Sequence, residues 1–294
     1  MSNNKDSLNS KEKQHPMPET GANEQAGIEA GGSTSAGVAG TTPASVSSGP
    51  EEKPDQPADA WESPQKVLVL LAHPDDPEFF CGATVARWVA AGHQVVYWLL
   101  TCGDKGTPDR SLTPEQLCGL RQSEQRAAAR VLGVEQVNFL GYPDGYLVAD
   151  LNLRRDVTRI IRKVRPDVII TCDPQTLYVR DTRLNHPDHR AAGQATLDAV
   201  YPAARDHLNF IELWRDEHLE PHIVREVWVS GTLHPNVVLD VTDTWETKLL
   251  ALQEHKSQIE NYEQLVERMR QRHTPDSSPE NPRYTEGFRR LILS

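Results

Sequence analysis

From residue 61 onward, apolar positions fall into two alternating patterns: short, nearly continuous runs rich in Val, Ile and Leu, and longer stretches with a helical repeat. The run KVLVLLA at 66–72 has almost no polar face, as a strand covered on both sides requires. It predicts the first strand. Further strands are expected at 93–101 (HQVVYWLLT), 136–140, 167–171 and 226–230. Helices are expected at 83–91 before Gly92, between Pro114 and Gly133, at 151–164, and from about His186. A C-terminal helical region follows, and its charged amphipathic run at 245–270 is expected to pack on the sheet and to offer a homo-oligomer contact. Strand and helix alternating at this spacing predict βαβ units, hence an α/β fold with a doubly wound, mainly parallel sheet and helices on both faces. Ligands in such sheets bind beyond the carboxyl ends of the strands, so chemistry is sought just after each strand.

Neither period appears before residue 61. Gly, Ser, Ala, Pro, Glu and Asn dominate there, and GGSTSAG at 31–37 reads as flexible linker. Such a stretch buries too little surface to offset its ordering entropy. Residues 1–62 are therefore expected to be a disordered, low-complexity tail, and 63–294 a single domain.

Charge and cysteine usage narrow the function classes. With 42 acidic and 31 basic residues, the net charge of −11 is a poor match for nucleic acid or an anionic membrane. No apolar run is long enough to span a bilayer, and no secretory signal follows the first lysines, so a cytoplasmic location is expected. Cys81, Cys102, Cys118 and Cys172 form no C-x-x-C pair; neither a disulfide framework nor a thiolate zinc site is indicated, and core packing is expected.

Two motifs carry the chemistry. The first strand runs into Ala72-His73-Pro74-Asp75-Asp76-Pro77-Glu78, an imidazole and paired carboxylates at a strand end. An adjacent Asp pair is costly there unless a cation or proton neutralises it. The plain alternative is a polar turn with a capping Asp. The second motif, Asn185-His186-Pro187-Asp188-His189, opens a helix after the strand at 167–171. His186 and His189 are three apart and share a helix face, and Asp188 between them could orient an imidazole. Two His and one Asp, with one position open for water, form a common catalytic zinc set.

These two motifs, in this order and spacing, resemble the PIG-L/LmbE-like N-acetylglucosaminyl deacetylases, including those of mycothiol and bacillithiol biosynthesis. Lesser matches are Gly82-Ala83-Thr84, Arg121-x-x-Glu124, Leu132-Gly133-Val134, Asp144-Gly145, Asp173-Pro174 and His255-x-Ser257-Gln258. The resemblance covers residue 65 to the C-terminus. It implies a Rossmann-like domain and a zinc-dependent hydrolase, with iron as the alternative metal, removing acetyl from a small-molecule amino sugar. Carried over by position, it makes His73, Asp76 and His189 the metal ligands and Asp75 the general base. His186, protonated and oriented by Asp188, would polarise the carbonyl, and either Asp75 or His186 would protonate the leaving amine. Arg121 and Asp144 would meet sugar hydroxyls, although Arg121 could equally pair with Glu124 and Asp144 could be a turn residue. Glu78 is either a support of the ligand loop or a first-turn helix acid. His255 is expected to shape the pocket wall. Where some members carry a tyrosine before the second motif, this chain has Arg183-Leu184-Asn185, leaving His186 alone or with Asn185 at the oxyanion.

Three other readings compete. An amidase acting on a thiol-conjugate amide would use the same site with a different rim. A non-catalytic sugar-binding protein of the same fold would show a broken base or ligand, whereas all are present here. A phosphoesterase would usually need a second metal set.

Overall fold

The computed structural model describes residues 57–179 and 181–293. The tail assigned to 1–62 lies, up to residue 56, outside the described residues. From 57 onward the chain is packed: the Asp59 carboxylate accepts hydrogen bonds from Arg87 and Trp88, and the Trp61 ring meets Trp88 edge-on.

In chain order the elements are β1 (Lys66–Leu71), α1 (Asp76–Ala90), β2 (Gln94–Thr101), α2 (Pro114–Val131), β3 (Gln136–Tyr142), α3 (Leu151–Val164) and β4 (Val168–Cys172). A small hairpin, β5 (Tyr178–Val179) and β6 (Arg183–Leu184), leads to α4 (Pro187–Asp198) and α5 (Ile211–Arg215). The remainder is β7 (Glu226–Ser230), β8 (Val237–Asp240), α6 (Trp245–Leu252), α7 (Tyr262–Arg270) and β9 (Thr285–Ile292). Seven strands form one sheet in the order β3-β2-β1-β4-β7-β9-β8. The first five are mutually parallel, and β9 runs antiparallel to both β7 and β8.

The unbroken apolar run of β1 follows from its central place. Val67, Val69 and Leu71 point into one core with Val85 and Trp88 of α1 and Leu249 and Leu252 of α6. Leu68 and Leu70 point into the other, with Leu153, Val157 and Ile161 of α3 and Ala192 and Ala195 of α4. Full burial of each such aliphatic side chain contributes about 1.5–3 kcal/mol. This is the doubly wound α/β sheet expected from the alternating pattern.

Four local expectations are corrected. Helix α1 starts at Asp76 rather than 83, because Asp76-Pro77-Glu78 are themselves helix-start residues; a break at Cys81 (φ −147°, ψ 17°) separates that first turn from the rest. The run at 245–270 is two helices, α6 and α7, not one. The C-terminal region is not wholly helical: β9 alternates inward Glu286 and Phe288 with outward Gly287 and Arg289, and the buried Glu disguises the strand pattern. Finally, Cys102 and Cys118 are disulfide-bonded, with Cα atoms 5.1 Å apart, because the segment after β2 packs on α2. Cys81 and Cys172 are free and buried, as expected of core cysteines.

Candidate functional site

Strand order reverses between β1 and β4, which makes the gap beyond their carboxyl ends the crevice of the sheet. The segment after β1 carries His73 to Glu78. After β4, Asp173 closes a turn by accepting from Gln175 N at 2.8 Å and Thr176 Oγ1 at 3.0 Å, and the chain returns through the hairpin into α4. Gly193 allows α4 to lie against β4, since a Cβ there would stand 2.2 Å from the Cys172 carbonyl oxygen. The N-terminus of α4, with His186 to His189, is thereby brought over the end of β1.

The two motifs meet. Donor atoms of His73, Asp76 and His189 lie within 4.8 Å of one another, as do those of His73, His186 and Asp188. His189 Nε2 is 3.1 Å from Asp76 Oδ1, while its Nδ1 donates to Asn185 Oδ1 at 3.0 Å. The Asn185 amide is oriented in turn by donating Nδ2 to the Thr176 carbonyl at 2.7 Å. Asn185 thus leaves Nε2 of His189 as the nitrogen facing the centre, as metal-binding imidazoles require. Asp76 Oδ2 accepts from the His73 backbone N–H at 2.8 Å.

The electrostatics fit a cation. His73 Nε2 lies 3.2 Å from both Asp144 Oδ1 and Asp188 Oδ2, and its Nδ1 lies 3.4 Å from Asp76 Oδ2. Burial opposes a charge on this imidazole, yet the three carboxylates outweigh it and push its pKa up to about 12. Burial likewise opposes ionisation of Asp76, but His189 and His73 hold its carboxyl below the usual range. Three carboxylates crowded on one buried imidazole are an excess of negative charge that a divalent ion would relieve, and the mixed N/O donor set suits zinc or iron.

Asp75 is held apart from this cluster by its backbone. It caps α1 from the left-handed region, at φ 87°, and its N–H donates to Gln125 Oε1 at 2.7 Å. The Gln125 amide donates at 2.9 and 3.0 Å to Glu78, which also accepts from His255 Nε2 at 3.0 Å. Glu78 and His255 are both fully buried, and His255 Nδ1 has no hydrogen-bond partner among the described residues. Burial opposes a charge on His255, but Glu78 raises its pKa. Burial pushes the Asp75 carboxyl up to about 6; Arg121 pulls it down and Asp76 up.

Arg121 ties three loop segments together. It donates to the carbonyls of Pro74 at 2.9 Å and of Gly103 and Lys105 at 3.3 Å, and stands 3.5 Å from Asp75 Oδ2 and 3.7 Å from Asp144 Oδ2. Gly103 permits this contact, with φ 67° and no room for a Cβ, which would lie 2.5 Å from the guanidinium carbon. His73, Asp75, Arg121, Asp144, His186 and His189 all line one cavity of about 400 Å³.

Several partnerships differ from those the sequence suggested. Glu124 does not pair with Arg121; it accepts from Ser257 N and Oγ at 2.8 and 2.6 Å. The Asp188 carboxylate meets His73 and the N–H groups of Gly145 and Leu147, at 2.7 and 3.2 Å, and it is the Asp188 backbone N–H that reaches His186 Nδ1, at 3.2 Å. Burial and the neighbouring His73 lower the pKa of His186. Asp144, expected at sugar hydroxyls, also stands on the imidazole cluster, 3.2 Å from His73 Nε2. His255 lies beneath the site on Glu78 instead of on the cavity wall. Neither motif points to Gln125, which holds the Asp75 backbone. Its signal was available as a polar stripe, Arg121, Glu124 and Gln125, at positions that share one face of α2 with buried Leu117 and Ala128.

The family described as GlcNAc-PI de-N-acetylase, PIG-L, matches residues 68–200, which hold both motifs. A diacetylchitobiose deacetylase of Thermococcus kodakarensis is 34% identical over 195 residues, covering 66% of this chain and 70% of that protein. The chain belongs to the PIG-L family. A 1D-myo-inositol 2-acetamido-2-deoxy-alpha-D-glucopyranoside deacetylase of Geodermatophilus obscurus is 34% identical over 48% of this chain, which spans only 54% of that relative. Among solved structures, the N,N'-diacetylchitobiose deacetylase of Pyrococcus horikoshii is similar with a TM-score of 0.69 and 32% identity, covering 78% of this chain and 84% of that one. A 4-carboxy-2-hydroxymuconate hydratase, GalB, shares the fold at 21% identity and a TM-score of 0.62, covering 79% of this chain and 98% of that one. The fold therefore hosts more than one chemistry, and the reaction must be argued from the site. No helix among the described residues is long and apolar enough to cross a membrane.

Proposed function

We propose that this PIG-L family chain is a zinc-dependent N-deacetylase that removes the acetyl group from an N-acetylglucosamine-containing small molecule. The observation that carries the reading is the convergence of His73, Asp76 and His189 within 4.8 Å, beside an Asp75 carboxyl that lines the same cavity. The names of the archaeal and actinobacterial relatives, all amino-sugar deacetylases, support the substrate class.

His73, Asp76 and His189 would hold the ion, which when bound supplies Lewis acidity to the amide carbonyl and to a water molecule. Asp75 is the general base. A carboxyl with a pKa near 6 is ionised at neutral pH yet basic enough to take a proton from water. The water oxygen bonds to the acetyl carbon, the C–N bond breaks, and the proton held by Asp75 passes to the departing amine, leaving acetate. His186 donates to the carbonyl oxygen as a neutral imidazole. Its Nδ1 accepts the Asp188 N–H, so its proton sits on Nε2, and its lowered pKa favours that neutral form over the imidazolium. Asp188 and Asp144 hold His73, and Asp144 with Arg121 faces the sugar hydroxyls from the cavity wall.

The test is primary-amine release by the zinc-loaded protein across N-acetylglucosamine derivatives: free sugar, chitin oligomers, inositol and malate glycosides, and lipid-linked forms. Release lost in Asp75→Ala is expected. A panel with no release, metal bound, would overturn the reading and turn attention to thiol-conjugate amides.

A further inference from the structure

A second cavity opens from the same pair of residues. Asp76 and His189 also line a space of about 470 Å³ whose other lining residues include neither Asp144 nor Arg121. Its walls are Phe79, Phe80 and Leu265, and three arginines, Arg183, Arg268 and Arg272, stand around it. The Phe80 ring lies edge-on to His189 at 5.3 Å between centroids, so the aromatic wall begins at the ligand cluster itself. Phe79, Leu265 and Arg268 also line an adjoining space of about 410 Å³.

Two of these three arginines, Arg183 and Arg268, bring the charge that matters here. The cavity's one acidic lining residue is Asp76, whose carboxylate is engaged by His189 and His73. Among the described residues, the side chains of Arg183 and Arg268 have neither a hydrogen-bond nor an ion-pair partner. They come from separate elements, the β5–β6 hairpin and α7, yet converge on one opening. Two guanidinium groups above an apolar wall are suited to a planar or tetrahedral oxyanion held through paired N–H donors.

The chemistry of the amide sets what enters that space. The acetamido group of N-acetylglucosamine and its aglycone sit on neighbouring ring carbons. A substrate with its amide at His189 and Asp76 and its ring in the cavity of Arg121 and Asp144 can extend its aglycone into the adjoining one, because the two cavities share Asp76 and His189. We infer that the substrate's aglycone carries an anionic group, carboxylate or phosphate, received by Arg183 and Arg268, an inference that rests on the deacetylase reading.

The test compares the zinc-loaded full chain on neutral glycosides (diacetylchitobiose and the inositol glycoside), a carboxylate glycoside (malate) and a phosphate one (N-acetylglucosamine 1-phosphate). The expected kcat/KM for an anionic member exceeds that of the neutral ones by about tenfold or more, and the two anionic arms identify the group. Arg183→Ala and Arg268→Ala should each collapse that ratio about tenfold, through KM, with partial recovery in the lysine variants. Both side chains are on the surface, so the variants should fold. Neutral and anionic glycosides turned over alike, or a ratio unmoved in both variants, would overturn the inference. Calorimetric binding of the same panel separates the two readings: no turnover, with anion preference lost in the arginine variants, fails the deacetylase assignment alone. Equal binding of neutral and anionic members fails the anion site.

Discussion

The backbone N–H of Asp75 donates to Gln125 Oε1 at 2.7 Å from a left-handed conformation, at φ 87°. A non-glycine residue in that region costs on the order of 1–3 kcal/mol and persists only where its surroundings hold it. Gln125 provides the hold, and its own amide is fixed by buried Glu78, which His255 also binds. A helix face on α2 thereby sets the position of the carboxylate that ends the first motif's turn.

Replacing Gln125 by Ala removes the anchor of Asp75 and a donor to Glu78. The expected loss is about 1–3 kcal/mol in urea unfolding, with turnover down more than about tenfold and metal retained. A folded Gln125→Ala protein with unchanged kcat would show that Asp75 does not depend on it.

Asp75→Ala should lower turnover by about 10²-fold or more while metal content, measured by atomic spectroscopy, stays at the wild-type level. The substitution also has a pH signature in the metal-free protein. The Asp75 pKa is raised in the fold, to about 6 from 3.8, so its ionisation destabilises the fold as pH rises through that window. Asp75→Asn is therefore expected to be more stable than wild type at pH 8, by on the order of 1–3 kcal/mol, with the difference gone near pH 4. Equal stabilities at pH 8 would show that the carboxylate is not penalised by burial.

Metal uptake should release a proton even at alkaline pH. His73 is held protonated by Asp144, Asp188 and Asp76, with its pKa near 12, and an imidazole must be neutral to bind a metal. Affinity is accordingly expected to weaken as pH falls. Calorimetry of the chelator-treated protein at pH 8 to 9, in buffers of different ionisation enthalpy, counts the protons; a count of zero would contradict the assignment.

Asn185 orients His189 through Nδ1, so with His189 in the proposed ligand set Asn185→Ala should weaken metal affinity by about 10- to 100-fold without unfolding the chain. Competition with a chromophoric chelator reads the change. Unaltered affinity would mean that packing alone orients the ring.

The buried pair of Lys248 and Glu286, 2.6 Å apart, joins α6 to β9, and Glu286 also accepts from Ala83 and Thr84 of α1. Lys248→Met leaves Glu286 without its countercharge and is expected to cost about 3–5 kcal/mol, measured by thermal and urea unfolding. A loss below about 1 kcal/mol would show that water reaches the carboxylate.

By itself, the sequence determined the periodic features. A continuous apolar run requires cover on both faces, so the parallel strands and their helices were legible, including α3 and β7 to the residue. Imidazoles and carboxylates at two strand ends were legible as one site, because a doubly wound sheet brings such ends to one edge. What lay beyond local pattern was decided only in three dimensions. Strand β9 is hidden by an inward glutamate whose lysine partner lies 38 positions earlier on α6. The disulfide joins cysteines 16 residues apart, whose meeting depends on how the segment after β2 packs on α2. Asp188 serves His73 rather than its neighbour His186, and Gln125 reaches across 50 residues to hold Asp75. Periodicity records which face of an element is buried. It does not record which buried polar groups find one another, because a hydrogen bond is made by atoms close in space, and only the packing of distant elements brings those atoms together.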